Sequence, residues 1–365
     1  MPCARRFTLV TCATRRPFLT PVSIRSARIW RLGILLPLAC SSPQLSPSPL
    51  VASADYSEAV ALVSSRQARD DSVVAPDYRS ILMTHGQRAP RVFLLLHGFT
   101  DAPLQFKSVG TTLFDGGDNV YIPRLPHHAE RQSPIRALAR VSAPELARFG
   151  DSVVAESRGL GDTIVIVGLS AGGTIAAHLA QTNAEVGRAV LIAPAIAAAL
   201  VSDSLGRELV ELAERLPDIR HTNAPVDSAH PDFVQGFTTR GLAELLQLGE
   251  QVHDEAQRYA PRTKTVTFLL NEQDHTVSEE ASLDLAQRWF DRGATVVAYR
   301  FPGTLKLPHN VLEEQPRRGG KTEVVYPVVE ALALGRTPPA TVRRLDQPCA
   351  GWRCALRRWF SSKKI

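Results

Sequence analysis

The long middle of this chain lacks cysteine. All five cysteines lie near the two ends of the 365-residue sequence, at positions 3, 12, 40, 349 and 354. The segment between Cys40 and Cys349 therefore offers neither a thiol nucleophile nor the thiolate ligands of a zinc site. For Cys349 and Cys354 two alternatives stay open: a small disulfide loop in an oxidising compartment, or two unpaired thiols.

Acidic residues are nearly absent from both ends of the chain. Residues 1–50 hold seven arginines and no Asp or Glu, and residues 336–365 hold eight Lys or Arg and only Asp346. The whole chain carries +6 and these two ends together carry +14, so residues 51–335 carry −8. This acidic centre argues against a nucleic-acid partner, because phosphate binding requires a basic surface.

No stretch reaches the ~18–20 apolar residues that a membrane-spanning helix requires. Basic residues 1–31 instead precede the short apolar stretch 32–39, an order that is typical of a secretory signal. The ending Leu38-Ala39-Cys40 resembles a bacterial lipoprotein signal, in which Cys40 would carry the lipid. We therefore predict an exported protein, periplasmic or anchored to a membrane. A basic leader on a cytoplasmic protein is the alternative.

The last residues combine aromatic and basic side chains at helical spacing. Trp352, Leu356, Trp359 and Phe360 lie among five Lys or Arg between residues 349 and 365. A basic amphipathic helix of this kind can lie on an anionic membrane surface. Membrane association through this tail and a disordered, solvated tail are both compatible with the pattern.

The centre of the chain alternates between apolar runs and helical patterns. Val92–Leu96 and Thr163–Val167 are apolar without alternation, which is typical of strands covered on both faces. Further strands are predicted at Ala189–Ile192, Val266–Leu270 and Ala294–Tyr299, with helical segments between them. The alternation predicts an α/β fold built on a mostly parallel, doubly wound sheet.

The alternation stops between Ile196 and Pro261, which predicts a helical cap without strands over the carboxyl ends of the sheet. The cap is expected to supply an apolar pocket. The candidate pocket residues, each with packing against the core as the alternative, are Leu209, Leu212, Phe233, Phe237 and Leu245. The predicted regions are a leader and Pro/Ser linker (1–55), a first core part (56–195), the cap (196–261), a second core part (262–335) and a basic tail (336–365).

A glycine-flanked serine follows the strand Thr163–Val167 in the sequence Gly168-Leu169-Ser170-Ala171-Gly172. A sharp turn from a buried strand into a helix holds such a serine in a strained conformation with its hydroxyl exposed. Glycines are needed where a side chain would collide with packed backbone. The helix N-terminus directs its free N–H groups at negative charge beside the serine. We predict that Ser170 is a nucleophile.

A serine hydroxyl needs a base and a third group that orients the base. Asp274 follows the strand Val266–Leu270, and His309 follows the last predicted strand. Both therefore belong to the same sheet edge as Ser170, in the order serine, acid, histidine. Glu272 is the alternative acid.

Six other histidines are less well placed for the base, since they lie before the core strands, in a helix, beside the acid or in the cap; they are His85, His178, His221, His230, His253 and His275. His97 is expected to brace its loop, and His127 and His128 either face the pocket or form a solvated pair. The N–H groups of Phe99 and Ala171 are predicted to form an oxyanion hole. No clustered His, Asp or Glu suggests a metal site.

These motifs resemble the α/β-hydrolase superfamily and, within it, bacterial carboxylesterases and monoacylglycerol lipases. The likeness covers about residues 75–335 and rests on His97-Gly98-Phe99-Thr100, the Ser170 turn, the Asn271–Val277 loop and the His309 loop. It implies an α/β-hydrolase fold with an inserted cap and a serine ester hydrolase. It also implies a small acyl ester substrate and no cofactor. Other acyl substrates, or a non-catalytic anchored protein, are the alternatives.

One loop departs from the resemblance. Arg124-Leu125-Pro126 matches the family's loop, but His127-His128-Ala129 follows where glycines usually flank a single histidine. The family's loop borders the pocket, so the departure bears on the shape of the site and on substrate choice.

Overall fold

The computed structural model describes residues 55–198, 218–222 and 236–345. The predicted leader with Cys40, much of the predicted cap, and Cys349, Cys354 and the aromatic-basic tail lie outside these ranges. Export, lipidation and membrane association therefore stay predictions. Among the described residues, no helix has both the length and the apolar character needed to cross a membrane.

The described strands form an eight-stranded sheet and a separate two-stranded pair. In chain order they are β1 (Ile81–Met83), β2 (Ala89–Leu96), β3 (Asn119–Ile122), β4 (Gly161–Leu169), β5 (Val186–Ile192), β6 (Arg220–Thr222), β7 (Gly236–Thr238), β8 (Thr265–Asn271), β9 (Thr295–Phe301) and β10 (Arg343–Arg344). The large sheet has the order β1-β3-β2-β4-β5-β8-β9-β10. Only the edge strands β1 and β10 pair antiparallel in it, which confirms the predicted, mostly parallel sheet.

Helices cover both faces of this sheet. They are α1 (Tyr56–Val73), α2 (Lys107–Asp115), α3 (Pro134–Ala137), α4 (Ala143–Ser157), α5 (Ala171–Thr182), α6 (Thr239–Arg258), α7 (Glu279–Asp291) and α8 (Thr322–Ala333). The helices α1, α4, α5, α6 and α7 share one apolar cluster with the sheet, and α2 and α8 share the other. The fold is therefore the doubly wound arrangement that the sequence predicts.

Strand β2 shows why its sequence lacks alternation. Val92, Leu94 and Leu96 pack into the cluster on one face, and Phe93 and Leu95 pack into the cluster on the other. All five side chains are fully buried. A central strand of a doubly wound sheet has no solvent face, so polar residues are excluded from both of its sides.

The region predicted as a strandless cap contains two short strands. β6 and β7 pair antiparallel, so the prediction of no strand between Ile196 and Pro261 is wrong. Each strand has three residues. Polar residues and glycine occupy most of their positions, and such short segments carry no recognisable period of two.

Helix α6 also falls within the predicted cap, yet it packs against α5 and α4. Leu245, Leu248 and Val252 join the apolar cluster of that sheet face. Leu245 thus belongs to the core, and Phe237 is partly buried against the same cluster. The other proposed pocket residues, Leu209, Leu212 and Phe233, lie outside the described residues.

A buried ion pair ties α1 to this framework. Arg66 donates from Nε to Glu156 Oε2 at 3.0 Å and from Nη2 to Glu156 Oε1 at 2.6 Å. The Tyr121 hydroxyl donates to the same carboxylate at 2.7 Å. The side chains of Arg66 and Glu156 are only 15% and 10% exposed. Loss of one partner would leave the other charge buried and uncompensated.

We expect Arg66→Ala to lower the free energy of unfolding by about 3 kcal/mol, because Glu156 loses its counter-charge in a buried place. The matched control is Arg88→Ala, since Arg88 pairs with Asp162 at a site where these side chains are 43% and 70% exposed. That change should cost at most about 1 kcal/mol. Urea unfolding of both variants measures the difference, and equal losses would contradict the structural role of the buried pair.

Candidate active site

The turn between β4 and α5 holds Ser170 in an unusual backbone conformation. β4 ends at Leu169, α5 begins at Ala171, and Ser170 between them has φ 53° and ψ −111°. Such a positive φ is strained for a residue with a side chain. The Ser170 N–H donates to the carbonyl of Ile192 at 2.9 Å, which holds the turn against the neighbouring strand β5.

Two glycines allow this turn to pack against neighbouring backbone. A Cβ atom on Gly168 would overlap the carbonyl oxygen of Gly172, and one on Gly172 would overlap the carbonyl oxygen of Leu96. The Gly172 N–H donates to the carbonyl of His97 at 3.1 Å. The start of α5 is thereby fixed against the end of β2, which places the loop after β2 beside the serine turn.

The structure brings the three side chains predicted for catalysis into one hydrogen-bonded chain. His309 Nε2 lies 2.9 Å from Ser170 Oγ, and His309 Nδ1 lies 2.7 Å from Asp274 Oδ2. The other oxygen of Asp274 accepts the N–H groups of Thr276 at 2.8 Å and Val277 at 3.2 Å. Because the carboxylate only accepts, His309 Nδ1 carries the proton and Nε2 presents its lone pair to the serine hydroxyl.

The alternative acid, Glu272, points elsewhere. Its Oε2 accepts the N–H of Gly303 at 2.6 Å, and its Oε1 lies 3.7 Å from the guanidinium of Arg300. Glu272 and Asp274 both lie on the loop after β8, and Asp274 is the one in contact with His309.

The loop after β2 is oriented by His97. The Leu125 N–H donates to His97 Nε2 at 3.1 Å, so the proton of the neutral ring lies on Nδ1, which donates to the Gly98 carbonyl at 2.9 Å. The same carbonyl accepts the N–H of Asp101 at 3.2 Å. The Phe99 N–H shares a planar trans peptide with this carbonyl and points the opposite way.

The environment of His97 keeps its ring neutral. Burial lowers the pKa of His97 well below its usual value, and the neighbouring charges of His128 and Arg124 lower it further, against the opposing effect of the Gly98 carbonyl. A neutral ring with one donor and one acceptor fits the two backbone groups that it contacts. The expectation that His97 braces its loop agrees with this geometry.

Two backbone N–H groups, one in the loop after β2 and one at the start of α5, have no acceptor within the described part of the chain. Neither the Phe99 N–H nor the Ala171 N–H donates to a protein group there. Ala171 is the first residue of α5, where the helix leaves its leading N–H groups without partners. These are the two donors that the sequence analysis assigns to an oxyanion hole.

The loop that departs from the family pattern is strained at the positions where glycines are usual. His127 has φ 65° and Ala129 has φ 55°, a region that favours glycine. The ring nitrogens of His127 contact Glu130 at 3.3 Å and Glu145 at 3.1 Å. Side-chain contacts, including one to α4, thus hold a backbone shape that glycine would adopt without strain.

His128 is buried behind this loop, which corrects the expectation of a pocket-facing or solvated histidine pair. Its Nδ1 donates to the Pro126 carbonyl at 2.8 Å, and its ring meets those of Phe99 and His97 edge-on with centroids 5.3 and 5.2 Å apart. Burial lowers the pKa of His128 to about 4. The strained loop therefore packs against the loop that carries the Phe99 N–H.

Three further histidines form no hydrogen bond with Ser170 in the described part of the chain. His253 contacts Asp284 at 2.6 Å, His178 is buried within α5, and His85 stacks on Phe114. In the part of the chain that the structure describes, no group of three or more His, Cys, Asp or Glu is placed to hold a metal ion.

A glutamine near the site is not identified by any sequence pattern. Gln105 Oε1 accepts the Gly98 N–H at 2.8 Å, and Gln105 Nε2 donates to Asn310 Oδ1 at 3.0 Å and Asp101 Oδ2 at 2.9 Å. Gln105 lies just before α2 and belongs to no recognisable sequence motif. Only the fold brings it into contact with Asn310, which is 205 positions later in the chain.

Comparison with known proteins points to one family. The family model described as the alpha/beta hydrolase family matches residues 93–319. A thermostable monoacylglycerol lipase from Bacillus sp. (strain H-257) is 25% identical over 205 residues, which cover 53% of this chain and 74% of that protein.

Solved structures share the fold. One belongs to work on LipS and LipT, two metagenome-derived lipolytic enzymes; it is 16% identical with a TM-score of 0.53 and covers 72% of this chain and 100% of that one. The monoacylglycerol lipase of Paleococcus ferrophilus is 18% identical with a TM-score of 0.53, and the match covers 71% of this chain and 98% of that one.

We expect Gly172→Ala to lower the free energy of unfolding by about 3 kcal/mol and to displace the serine turn, because its Cβ would meet the backbone of Leu96. Gly110→Ala is the matched control. Its Cβ would lie 3.2 Å from side-chain ends of Ile122 and Val120, which can shift. Urea unfolding measures both variants, and a Gly172→Ala protein as stable as Gly110→Ala would contradict the close packing described here.

Proposed function

Because the chain belongs to the alpha/beta hydrolase family, we propose that it is a serine hydrolase that cleaves carboxylic esters through Ser170, His309 and Asp274. The hydrogen-bonded chain from Ser170 Oγ through His309 to Asp274 is the observation that carries this proposal. Lipase and esterase relatives support ester hydrolysis in general.

The first half of the reaction forms an acyl-enzyme. His309 Nε2 takes the proton of Ser170 as the hydroxyl oxygen attacks the ester carbonyl, and Asp274 stabilises the imidazolium that results. The same proton then passes to the leaving alkoxide, so the alcohol departs neutral. Asp274 holds the ring in the required tautomer because its second oxygen is fixed by the N–H groups of Thr276 and Val277.

The negative charge of the tetrahedral intermediate needs donors that are already in place. The N–H groups of Phe99 and Ala171 supply them, and the dipole of α5 adds to the stabilisation. Loss of one such donor typically lowers the rate by about 100- to 1000-fold. His97 contributes indirectly, since it fixes the peptide whose N–H belongs to Phe99.

The second half of the reaction returns the enzyme to its starting state. His309 accepts a proton from water as the water oxygen attacks the acyl carbonyl, and it then returns that proton to Ser170 Oγ as the ester bond breaks. A carboxylic acid leaves. For the substrate we propose esters of the carboxylesterase or monoacylglycerol class, supported by the relative from Bacillus sp. (strain H-257).

Ser170→Ala should abolish covalent labelling by a fluorophosphonate probe and lower the hydrolysis of p-nitrophenyl esters on the order of 10⁶-fold. The variant removes only one oxygen atom, so an unchanged unfolding midpoint serves as the control for the fold. Equal labelling of variant and wild type would contradict Ser170 as the nucleophile. A wild-type protein that labels but turns over no ester of any chain length would contradict the substrate class.

Asp274→Asn should lower kcat by about 10⁴-fold, because an amide at this position favours the wrong histidine tautomer. Glu272→Gln is the matched control on the same loop, since Glu272 contacts Gly303 and Arg300 and not His309. That variant should keep kcat close to the wild-type value. Steady-state ester hydrolysis measures both, and the reverse order of effects would assign the acid role to Glu272.

A further inference from the structure

The loop that carries His309 is tied down on both sides of the histidine. Before it, Asn271 Nδ2 donates to the carbonyls of Leu307 and Pro308, each at 3.0 Å. After it, Asn310 Oδ1 accepts from Gln105 Nε2 at 3.0 Å. Asn271 belongs to the strand before the Asp274 loop, so the first tie fixes the histidine relative to the acid.

The second tie leads to a different loop. Gln105 accepts the Gly98 N–H at 2.8 Å, and Gly98 is the residue whose carbonyl shares a peptide with the Phe99 N–H. One side chain thus contacts the proposed oxyanion loop through its oxygen and the histidine loop through its nitrogen. It joins two segments that lie far apart in the sequence, since Gln105 and Asn310 are 205 positions apart.

The orientation of the Gln105 amide is fixed by its partners. The Gly98 N–H can only donate, so the amide oxygen faces Gly98. The amide nitrogen has two hydrogens, and Asp101 Oδ2 and Asn310 Oδ1 accept them. Asp101 is held in turn by the Ala102 N–H at 2.9 Å. With both hydrogens of the nitrogen and the oxygen of the amide engaged, the bridge has one preferred geometry.

We propose that Gln105 is a positioning residue that keeps the Phe99 N–H and the His309 imidazole in register with each other. This inference rests on the proposed function, since it assigns Gln105 a role through those two groups. The transition state needs both groups at once, and misplacement by about 1 Å can lower a rate on the order of 10²-fold. Substrate binding does not need this register, so the effect should appear in kcat and not in KM.

Gln105→Leu keeps the approximate volume of the side chain and removes both hydrogen-bonding ends. We expect kcat for p-nitrophenyl ester hydrolysis and the rate of fluorophosphonate labelling to fall about 10- to 100-fold, with KM nearly unchanged. Gln67→Leu is the matched control. Gln67 is also part-buried and donates through Nε2 to the Ser80 carbonyl at 3.0 Å, away from the serine.

Gln105→Glu tests the bridge without changing its shape. In this variant an ionised carboxylate would accept the Gly98 N–H but could not donate to Asn310, whereas the protonated carboxyl group regains a donor. The ratio of variant to wild-type kcat should therefore rise as the pH falls. A loss of packing alone would leave that ratio independent of pH.

The charged groups around this position strengthen the expected pH effect. A carboxylate at position 105 would face Asp101 directly, and Glu313 and Glu314 lie nearby with Arg318 as the opposing charge. Burial raises the pKa of the Asp101 carboxyl to about 7, the Ala102 N–H opposes the rise, and Glu313 adds to it. In the variant the carboxyl groups of residues 101 and 105 would titrate as a coupled pair, so the pH range over which the ratio rises belongs to the pair and not to either group alone.

The double variant Gln105→Leu/Asn310→Leu decides whether the bond itself carries the effect. If it does, the double variant should lose no more labelling rate than the worse single variant, because both changes break the same contact. Additive losses, or wild-type labelling rates in Gln105→Leu, would overturn the proposal. A wild-type protein that reacts with neither probe nor ester would instead overturn the proposed function, and this inference with it.

Discussion

The contact between the start of α5 and the end of β2 sets the geometry of the whole site. Gly172 lies against the carbonyl of Leu96, and its N–H holds the carbonyl of His97. Through that one approach, the strained Ser170 turn and the loop that carries the Phe99 N–H become neighbours. A side chain on Gly172 would separate them, so the strain at Ser170 is maintained by backbone packing that depends on glycine.

The parallel sheet explains how much of the site the sequence could predict. Ser170, Asp274 and His309 follow β4, β8 and β9 along the chain, and parallel strands bring their carboxyl ends to one edge of the sheet. Apolar runs without alternation located β2 and β4, and further strands were predicted where β8 and β9 lie, so Ser170, Asp274 and His309 could be assigned before their distances were known. Glu272 stayed open until the structure showed its contacts with Gly303 and Arg300, because loop residues two positions apart have no pattern that separates them.

What the sequence could not predict depends on contacts between distant loops and layers. Helix α6 has the polar and apolar periodicity of any amphipathic helix, and only its packing on α5 shows that it covers the sheet. The bridge from Gly98 through Gln105 to Asn310 involves common residues without a motif. From the sequence, His128 is likewise indistinguishable from any polar loop residue, yet the fold buries it against Phe99 and His97.

In the loop after β3, residues other than glycine adopt positive φ angles. His127 and Ala129 adopt positive φ angles, each at a cost of about 1–2 kcal/mol for a residue with a side chain. Glycine would avoid that cost but would leave the loop freer to move. Here His127 contacts Glu130 and Glu145 while the neighbouring His128 packs on Phe99, so the strained backbone is fixed by side chains. Side-chain contacts thus fix the backbone shape that glycines would otherwise allow. Through His128 they also pack against the Phe99 loop, which Gln105 holds from a second side.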